Sequence, residues 1–256
     1  ALSMLPYIPV KNPDGTWGKA GYSGEVNSYS ANPVAIASIT TRKNKSSSLR
    51  LNFNFTVKPW KWLKWRNEMV YDANTDNGRY LLPAYDLGGT RQNYAVHEAT
   101  KTYNQYMSLK SVATGDWKMS SHKVSLMAGL EINERYKDYI YGRRESGSDT
   151  NLALGGGDGT RATNDGWTTT QRYSSFFGRL TYNYQDRYLM TTTVRHDGSS
   201  LFVRGRRWGT FPSVAVAWRI SEEPFFFPLT EKINSLKLRV GYGLVGNANA
   251  ADNTYL

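Results

Sequence analysis

The chain has 256 residues, a formal net charge of +11 and no cysteine, which excludes disulfides, thiolate metal sites and cysteine nucleophiles. Aromatic residues make up 14% of the chain and glycine contributes 23 residues, while only 39% is hydrophobic, a composition typical of β structure with many turns. No apolar run approaches the ~18 consecutive residues that a membrane helix requires, so a helical membrane protein is excluded.

The positive charge is dispersed along the chain. Its modest clusters at 42–45, 58–66 and 204–207 accompany no helix-turn-helix, RNP-type or finger pattern, so we expect no nucleic-acid partner. The three histidines lack the spacing of a metal site, and neither a metal nor a cofactor is expected. No pattern of a nucleophile with its base or of paired carboxylates is present, so we do not expect an enzyme.

Residues 1–46 contain four prolines together with several glycines and asparagines, which argue against regular strands. We interpret this region as an extracellular loop region. From residue 47 to residue 256 we expect transmembrane β-barrel strands and their loops.

A period of two dominates from residue 47 onward. Leu51, Phe53 and Phe55 alternate with polar residues, as in a strand with one apolar and one polar face. The pattern predicts eight strands, near 47–57, 62–74, 100–112, 119–141, 168–184, 187–198, 208–221 and 235–246. Most of them reach the roughly nine to eleven residues that a tilted membrane strand needs.

The connections alternate in length, short at 58–61, 113–118 and 185–186 and long at 75–99 and 142–167. Outer-membrane barrels have short periplasmic turns and long extracellular loops, whereas a soluble sandwich has no reason to sort its loops by end. The connections at 199–207 and 222–234 fit this rule less well. The fold class predicted is therefore all-β, an antiparallel transmembrane β-barrel segment with long extracellular loops.

Aromatic residues gather near the predicted strand ends, as in the girdles of membrane barrels. Those near the inner turns are Trp60, Trp62, Trp117, Tyr184 and Tyr188, and those near the outer loops are Tyr71, Tyr139, Tyr141, Trp167 and Trp208. With short turns inside, the first strand runs inward and the eighth outward, which leaves both chain ends outside. Small bacterial barrels end in the periplasm, so we expect this chain to be part of a larger barrel.

Several runs carry a resemblance to a known family. They are SSFFGRLTYNYQDRYLMTTTVRHDGSS from Ser174, RWGTFPSVAVAWRISEEPFF at 207–226, SLKLRVGYGLVGN at 235–247 and NPVA at 32–35. Together they resemble the SusC/RagA-like family of TonB-dependent outer-membrane transporters. The chain departs from the family's usual pattern at His196, where Arg is common, and at Leu201, where a basic residue is usual.

The resemblance implies a barrel of about 22 strands closed by an N-terminal plug, of which this chain would hold about a quarter. It also implies a location in the Gram-negative outer membrane, among lipid and lipopolysaccharide. The partners it implies are a SusD-like surface lipoprotein and, through a plug absent from this sequence, the TonB complex. The expected function is import of glycans, oligosaccharides or peptides; the alternatives are a passive porin and a soluble β-rich carbohydrate-binding or adhesion module.

Six loop aromatics are candidates to stack on substrate: Tyr7, Trp17, Tyr22, Tyr80, Tyr85 and Trp167. Interface anchoring or loop packing would explain each equally well. The run at 197–200 could contact ligand, although a structural turn is favoured. The glycines at 155–159 with nearby aspartates are more typical of a mobile outer loop than of a calcium site. Gly241, Gly243 and Gly246 match a dinucleotide fingerprint, but their place in a strand favours close strand packing.

Overall fold

The computed structural model describes residues 9–18, 32–87, 91–229 and 231–246. Its one α-helix within those ranges, α1, spans Pro33–Ile39. The strands are β1 Thr41–Trp60, β2 Leu63–Leu82, β3 Tyr85–Asp86, β4 Arg91–Gln92, β5 Val96–Met119, β6 His122–Gly147, β7 Gly157–Tyr184, β8 Tyr188–Ser199, β9 Trp208–Arg219 and β10 Lys237–Gly243. Short 3-10 helices span Leu154–Gly156, Ile220–Glu222 and Pro224–Leu229.

Eight of these strands form one sheet in the order β1-β2-β5-β6-β7-β8-β9-β10, and β3 and β4 form a separate two-stranded ladder. Chain neighbours are therefore sheet neighbours, the simplest arrangement for antiparallel strands joined by hairpins. The all-β antiparallel prediction is confirmed in the described part of the chain, and the main sheet has eight strands, of which β10 is shorter than the predicted 235–246. No helix in that part is long and apolar enough to cross a membrane.

The strand register places apolar side chains on one face of the sheet and polar or small side chains on the other. One row across β7 to β10 consists of Tyr182, Met190, Val216 and Val240, directly opposite one another. The next row consists of Thr181, Thr191, Ala215 and Gly241. Because successive residues of a strand point to opposite faces, the sheet has an apolar face and a face of polar and small residues.

The predicted turn at 113–118 is wrong. β5 continues to Met119 and reverses at 120–121, where Ser120 adopts a left-handed φ of 45°. Within the predicted turn, the ring of Trp117 lies over Gly115, and the Asp116 amide donates to the Trp62 carbonyl. A glycine covered by a neighbouring ring can thus remain in a strand.

The long connections are shorter than expected. Much of 75–99 and 142–167 belongs to strands, because β2 runs to Leu82, β6 to Gly147, and β7 begins at Gly157. The extended strand segments carry polar residues on both faces, so they show no hydrophobic alternation, although their backbone still pairs. The expected loop region 1–46 likewise contains α1, and β1 begins at Thr41 rather than near 47.

Helix α1 begins within the NPVA run. Asn32 is the N-cap, and its side-chain oxygen accepts hydrogen bonds from the amides of Val34 and Ala35 at 3.1 and 3.3 Å. Pro33 follows at the first helical position, where its missing N–H costs no hydrogen bond. The Asn32 amide also donates to the Val10 carbonyl at 2.9 Å, which ties the helix to the preceding segment.

The residues fall into two compact units. Unit 1 comprises 1–48, 74–104 and 137–169, and unit 2 comprises 49–73, 105–136 and 170–256. In unit 1, Leu81, Leu87, Ala95 and Val96 form the buried apolar set together with Ala35.

Unit 2 leaves its large apolar side chains uncovered. Phe53 is 61% exposed, Val216 48% and Val240 60%, values far above those of core residues. In the part of unit 2 that the structure describes, Phe226 is the one fully buried large apolar residue. A soluble sandwich would bury such a face against a second layer, and no second layer lies on it in the described part of unit 2.

Candidate functional site

A polar network centred on Arg195 lies on the polar face of unit 2. The Arg195 Nε donates to both carboxylate oxygens of Asp197 at 2.9 and 3.0 Å, and Nη2 donates to the Tyr173 hydroxyl at 3.0 Å. Nη2 also lies 3.8 Å from a Glu131 carboxylate oxygen, and the guanidinium stands 5.4 Å from the Phe177 ring centre. These contacts fix the arginine by hydrogen bonds, ion pairs and a cation–π contact together.

Asp197 is held by one side chain from its own strand and one from β7. Besides the two bonds from Arg195, it accepts a short hydrogen bond from the Ser175 hydroxyl, and Ser175 is directly opposite it on β7. Ser175 is buried. The negative charge of Asp197 is therefore neutralised within the network.

The favoured structural turn at 197–200 is wrong in position. Residues 197–199 belong to β8, and the reversal occupies 200–207, where Gly205 supplies a left-handed φ of 92°. Gly198 serves another purpose, because an added Cβ would lie 2.8 Å from the ring atoms of Trp208. The glycine thus gives the indole room to lie flat on the strand.

A cavity of about 300 Å³ lies beside the network, under the 200–207 loop. Its lining includes the rings of Tyr173, Phe202 and Phe211. A Cβ on either Gly209 or Gly246 would overlap the Phe211 ring, so this ring lies against two bare backbone positions and is held in place. The cavity thus has a fixed aromatic wall.

Arg206 and Arg207 line the same cavity, and both are exposed. Arg207 Nε donates to the Phe202 carbonyl at 3.2 Å, which leaves the other guanidinium nitrogens for further partners. Among the described residues, neither arginine is in an ion pair. Because Asp197 is neutralised, the cavity carries net positive charge.

A groove of about 540 Å³ on the polar face is also basic. Its charged lining residues are Lys64, Arg66, Lys110, Arg179 and Arg195, against Glu68 and Asp116. This face is therefore suited to contact anionic groups.

Aromatic clusters occupy both ends of the apolar face. Trp208 stacks on His196 at 4.8 Å between ring centres and on Phe176 at 6.1 Å, and His196 Nδ1 lies 2.9 Å from the Thr210 hydroxyl. Near the predicted inner turns, stacked pairs are Trp60–Trp62, Trp62–Trp117, Tyr184–Tyr188 and Tyr188–Trp218. At position 196, where the resembled family commonly has Arg, this chain therefore has a His whose imidazole stacks on the Trp208 indole.

Two carboxylates act as anchors at the turns. Lys123 Nζ donates to both oxygens of Asp186 at 2.7 and 2.8 Å and, with a bond from Asn183, holds the Asp186 pKa below its ordinary value. Glu223 accepts hydrogen bonds from the side chains of Tyr188 and Trp218, which lower its pKa in the same way. Hydrogen bonds of this kind stabilise the ionised form of each carboxyl group.

Four of the six aromatic candidates are described, all in unit 1, and each has its own partner. The prediction of loop positions is wrong for Tyr80, Tyr85 and Trp167, which lie in β2, β3 and β7. Trp17 lies under the Lys11 ammonium at 4.9 Å, and Tyr80 lies under the Arg42 guanidinium at 5.4 Å. Tyr85 is opposite Gln92 in the β3–β4 ladder, and Trp167, which is 47% exposed, stacks on Tyr139 at 5.7 Å. Tyr7 and Tyr22 lie outside the described residues. Contact of all six with substrate stays a prediction.

The cavity under the 200–207 loop was missed from sequence. The basic cluster at 204–207 and the run at 197–200 were both visible, but their meeting at one cavity depends on the β8–β9 register, in which Asp197 is opposite Gly209. Gly241 and Gly243 lie in β10 as expected, and a Cβ on Gly243 would lie 2.8 Å from that of Ser213, whereas Gly246 follows the strand and lies against the Phe211 ring. The glycines at 155–159 contribute to a 3-10 helix and to the first residues of β7.

Comparison with known proteins gives a consistent picture. Residues 5–256 match the family model described as TonB dependent receptor-like, beta-barrel. TonB-dependent receptor P26 of Formosa agariphila is 29% identical over 260 residues, which cover 96% of this chain and 25% of that protein. TonB-dependent receptor SusC of Bacteroides thetaiotaomicron is 46% identical over 87 residues, covering 34% of this chain and 9% of SusC.

The fold also resembles solved structures. The RagAB peptide transporter matches with a TM-score of 0.79 and 20% sequence identity, covering 91% of this chain and 26% of that one. The RagAB importer in its open-open state gives a TM-score of 0.78. The chain spans about a quarter of the length of P26 and of the RagAB chain. With the family model matched almost throughout, the chain belongs to the TonB-dependent receptor-like β-barrel family, and its SusC/RagA-like resemblance is confirmed.

Proposed function

We propose that this chain forms part of the barrel wall of an outer-membrane transporter that imports glycans or peptides with energy supplied through TonB. The observation that carries the proposal is the sorting of side chains by face. The row Tyr182, Met190, Val216 and Val240 is apolar, with Val216 and Val240 exposed and Tyr182 and Met190 half-buried, while the adjacent row is polar or small. Hydrocarbon on one side and water, plug or solute on the other would suit these two faces.

Strand length supports the same proposal. β5, β6 and β7 have 24, 26 and 28 residues, well over twice the roughly ten that a tilted strand needs to cross a bilayer. The excess would extend beyond the membrane as a paired rim on the extracellular side, where it would carry the connections at 83–95 and 148–156. We place the residues before β1 in the same extracellular region.

Transport in this proposal is a binding and gating event without covalent chemistry. The basic groove on the polar face would contact the plug or the passing solute. The six aromatic candidates would contact substrate near the mouth of the barrel. A SusD-like surface lipoprotein would cap that mouth. The RagAB structure, which this chain resembles in fold, is described as a peptide transporter, and this supports keeping peptides beside glycans as a substrate class.

The test uses the complete gene in its native bacterium. We expect deletion to abolish growth on one class of polymeric nutrient, restoration by the intact gene, and no uptake when TonB is inactivated. Loss of the neighbouring lipoprotein gene should lower uptake at low substrate concentration. Uptake that continues unchanged without TonB would favour a passive porin, and recovery of the complete protein in the soluble fraction would favour a soluble binding module.

A further inference from the structure

We propose that the cavity under the 200–207 loop binds the anionic group of an acidic oligosaccharide, with a sugar ring against Phe211 and the charge held by Arg206 and Arg207. The inference rests on the proposed import function and names a substrate class for it. Nothing in the family match or in the relatives' names assigns a ligand to this cavity.

The positive charge of the cavity lining favours an anionic ligand. Arg206 and Arg207 line the cavity without a carboxylate partner among the described residues, while Asp197 is already bonded by Arg195 and Ser175. An incoming carboxylate or sulfate would therefore meet two available guanidinium groups and a neutralised aspartate. Guanidinium groups bind such planar or oxygen-rich anions through paired N–H donors.

The size of the cavity and its aromatic wall favour a single sugar ring. The cavity volume of about 300 Å³ is at the lower end of the range for ligand pockets, so it suits a small part of a chain. Phe211 rests against Gly209 and Gly246, and Tyr173 is fixed by its hydrogen bond from Arg195. A wall of fixed rings offers apolar surface to the C–H face of a sugar without ordering mobile side chains.

The backbone argues for a sugar over a peptide. Extended peptides are commonly recognised by unpaired main-chain groups at a sheet edge. Around this cavity the strands are paired on both sides, with Asp197 opposite Ser175 on β7 and Gly209 on β9. The β8 backbone at this cavity is therefore paired along both edges, which leaves no open edge there for an extended peptide to pair with.

The test measures how strongly the complete purified transporter retains each compound of a defined panel. The panel contains tetrasaccharides bearing uronic acids, sulfated tetrasaccharides, neutral tetrasaccharides of matched linkage, and acidic tetrapeptides. The variants are R206Q/R207Q, F211L and the control R204Q, because Arg204 is on the same loop but does not line the cavity. Heat-modifiable migration on gels checks that each variant folds.

We expect the wild type to retain acidic sugars over neutral ones, with affinity that falls as salt rises. R206Q/R207Q should weaken acidic-sugar binding by about tenfold or more and leave neutral sugars unchanged, since each charge-assisted bond contributes strongly. F211L should weaken binding of acidic sugars with little change in salt dependence, and R204Q should behave as wild type.

Four results would overturn the proposal: equal retention of acidic and neutral sugars, no retention of acidic sugars, retention of acidic peptides alone, or an R204Q loss as large as that of R206Q/R207Q. Retention of the panel by the wild-type transporter tests the preference for acidic sugars even if a variant fails to fold. TonB-dependent uptake of an acidic glycan that is identical in wild type and R206Q/R207Q would refute the cavity assignment and leave the import function standing. Absence of any TonB-dependent uptake would refute the import function itself.

Discussion

Placing an arginine at Val214 tests which face of the sheet contacts lipid. Val214 is opposite Thr192 and Tyr242 on the apolar face and is 42% exposed. It is six residues from Trp208 at the outer end of β9, about 20 Å along the strand at ~3.3 Å per residue. With a strand tilt of about 45°, that distance places Val214 about 14 Å deep, close to the centre of a ~30 Å hydrocarbon layer.

An arginine at that depth costs about 2–4 kcal/mol of unfolding free energy in outer-membrane barrels, so we expect V214R to lose that amount. The matched control is A215R, the next residue on the polar face, opposite Thr191 and Gly241, which should lose less than about 1 kcal/mol. The assay is urea unfolding of the complete protein in phospholipid vesicles, followed by tryptophan fluorescence. Equal losses, or a larger loss in A215R, would show that hydrocarbon does not cover the apolar face.

Three further predictions follow from the contacts of unit 2. G198A should lose about 1–3 kcal/mol because its Cβ would meet the Trp208 ring at 2.8 Å, whereas G178A, with its nearest atom 3.7 Å away, should lose nothing; equal urea midpoints would contradict this. R195A should weaken acidic-sugar binding and R195K should restore little of it, since an ammonium cannot span the same partners; full rescue by lysine in a binding titration would refute the argument. The lowered Glu223 pKa means that its stabilisation is present above the unfolded-state pKa and is lost as the pH falls through the native one. Thermal melts of E223Q should therefore show a shallower acid-side decline than wild type, and an identical decline would count against it.

Strand count and face assignment could be predicted wherever the hydrophobic alternation is strong. The pattern through Leu51, Phe53 and Phe55 places those side chains on one exposed face, as the structure has them. Strand ends were harder to predict. The predicted turn at 113–118 lies within β5, where a tryptophan ring covers Gly115, and the first residues of β7 carry no hydrophobic alternation to detect.

The candidate site shows the same division. The six aromatic candidates were predicted as loop residues, yet the four described ones have four separate partners, and all but Trp17 lie in strands. The cavity under the 200–207 loop draws on three strands and a loop. Its assembly requires a register, and a shift of one residue would move each side chain to the other face.

The sequence by itself determined the class of this protein, because a period of two in long segments and low mean hydropathy are local properties that no distant contact can alter. Only the tertiary structure decided that Arg195 neutralises Asp197 while Arg206 and Arg207 are left to line a cavity. The physical reason is that ion pairs and cavities depend on which residues of neighbouring strands are opposite one another, and that alignment is set by hydrogen-bond register across the whole sheet.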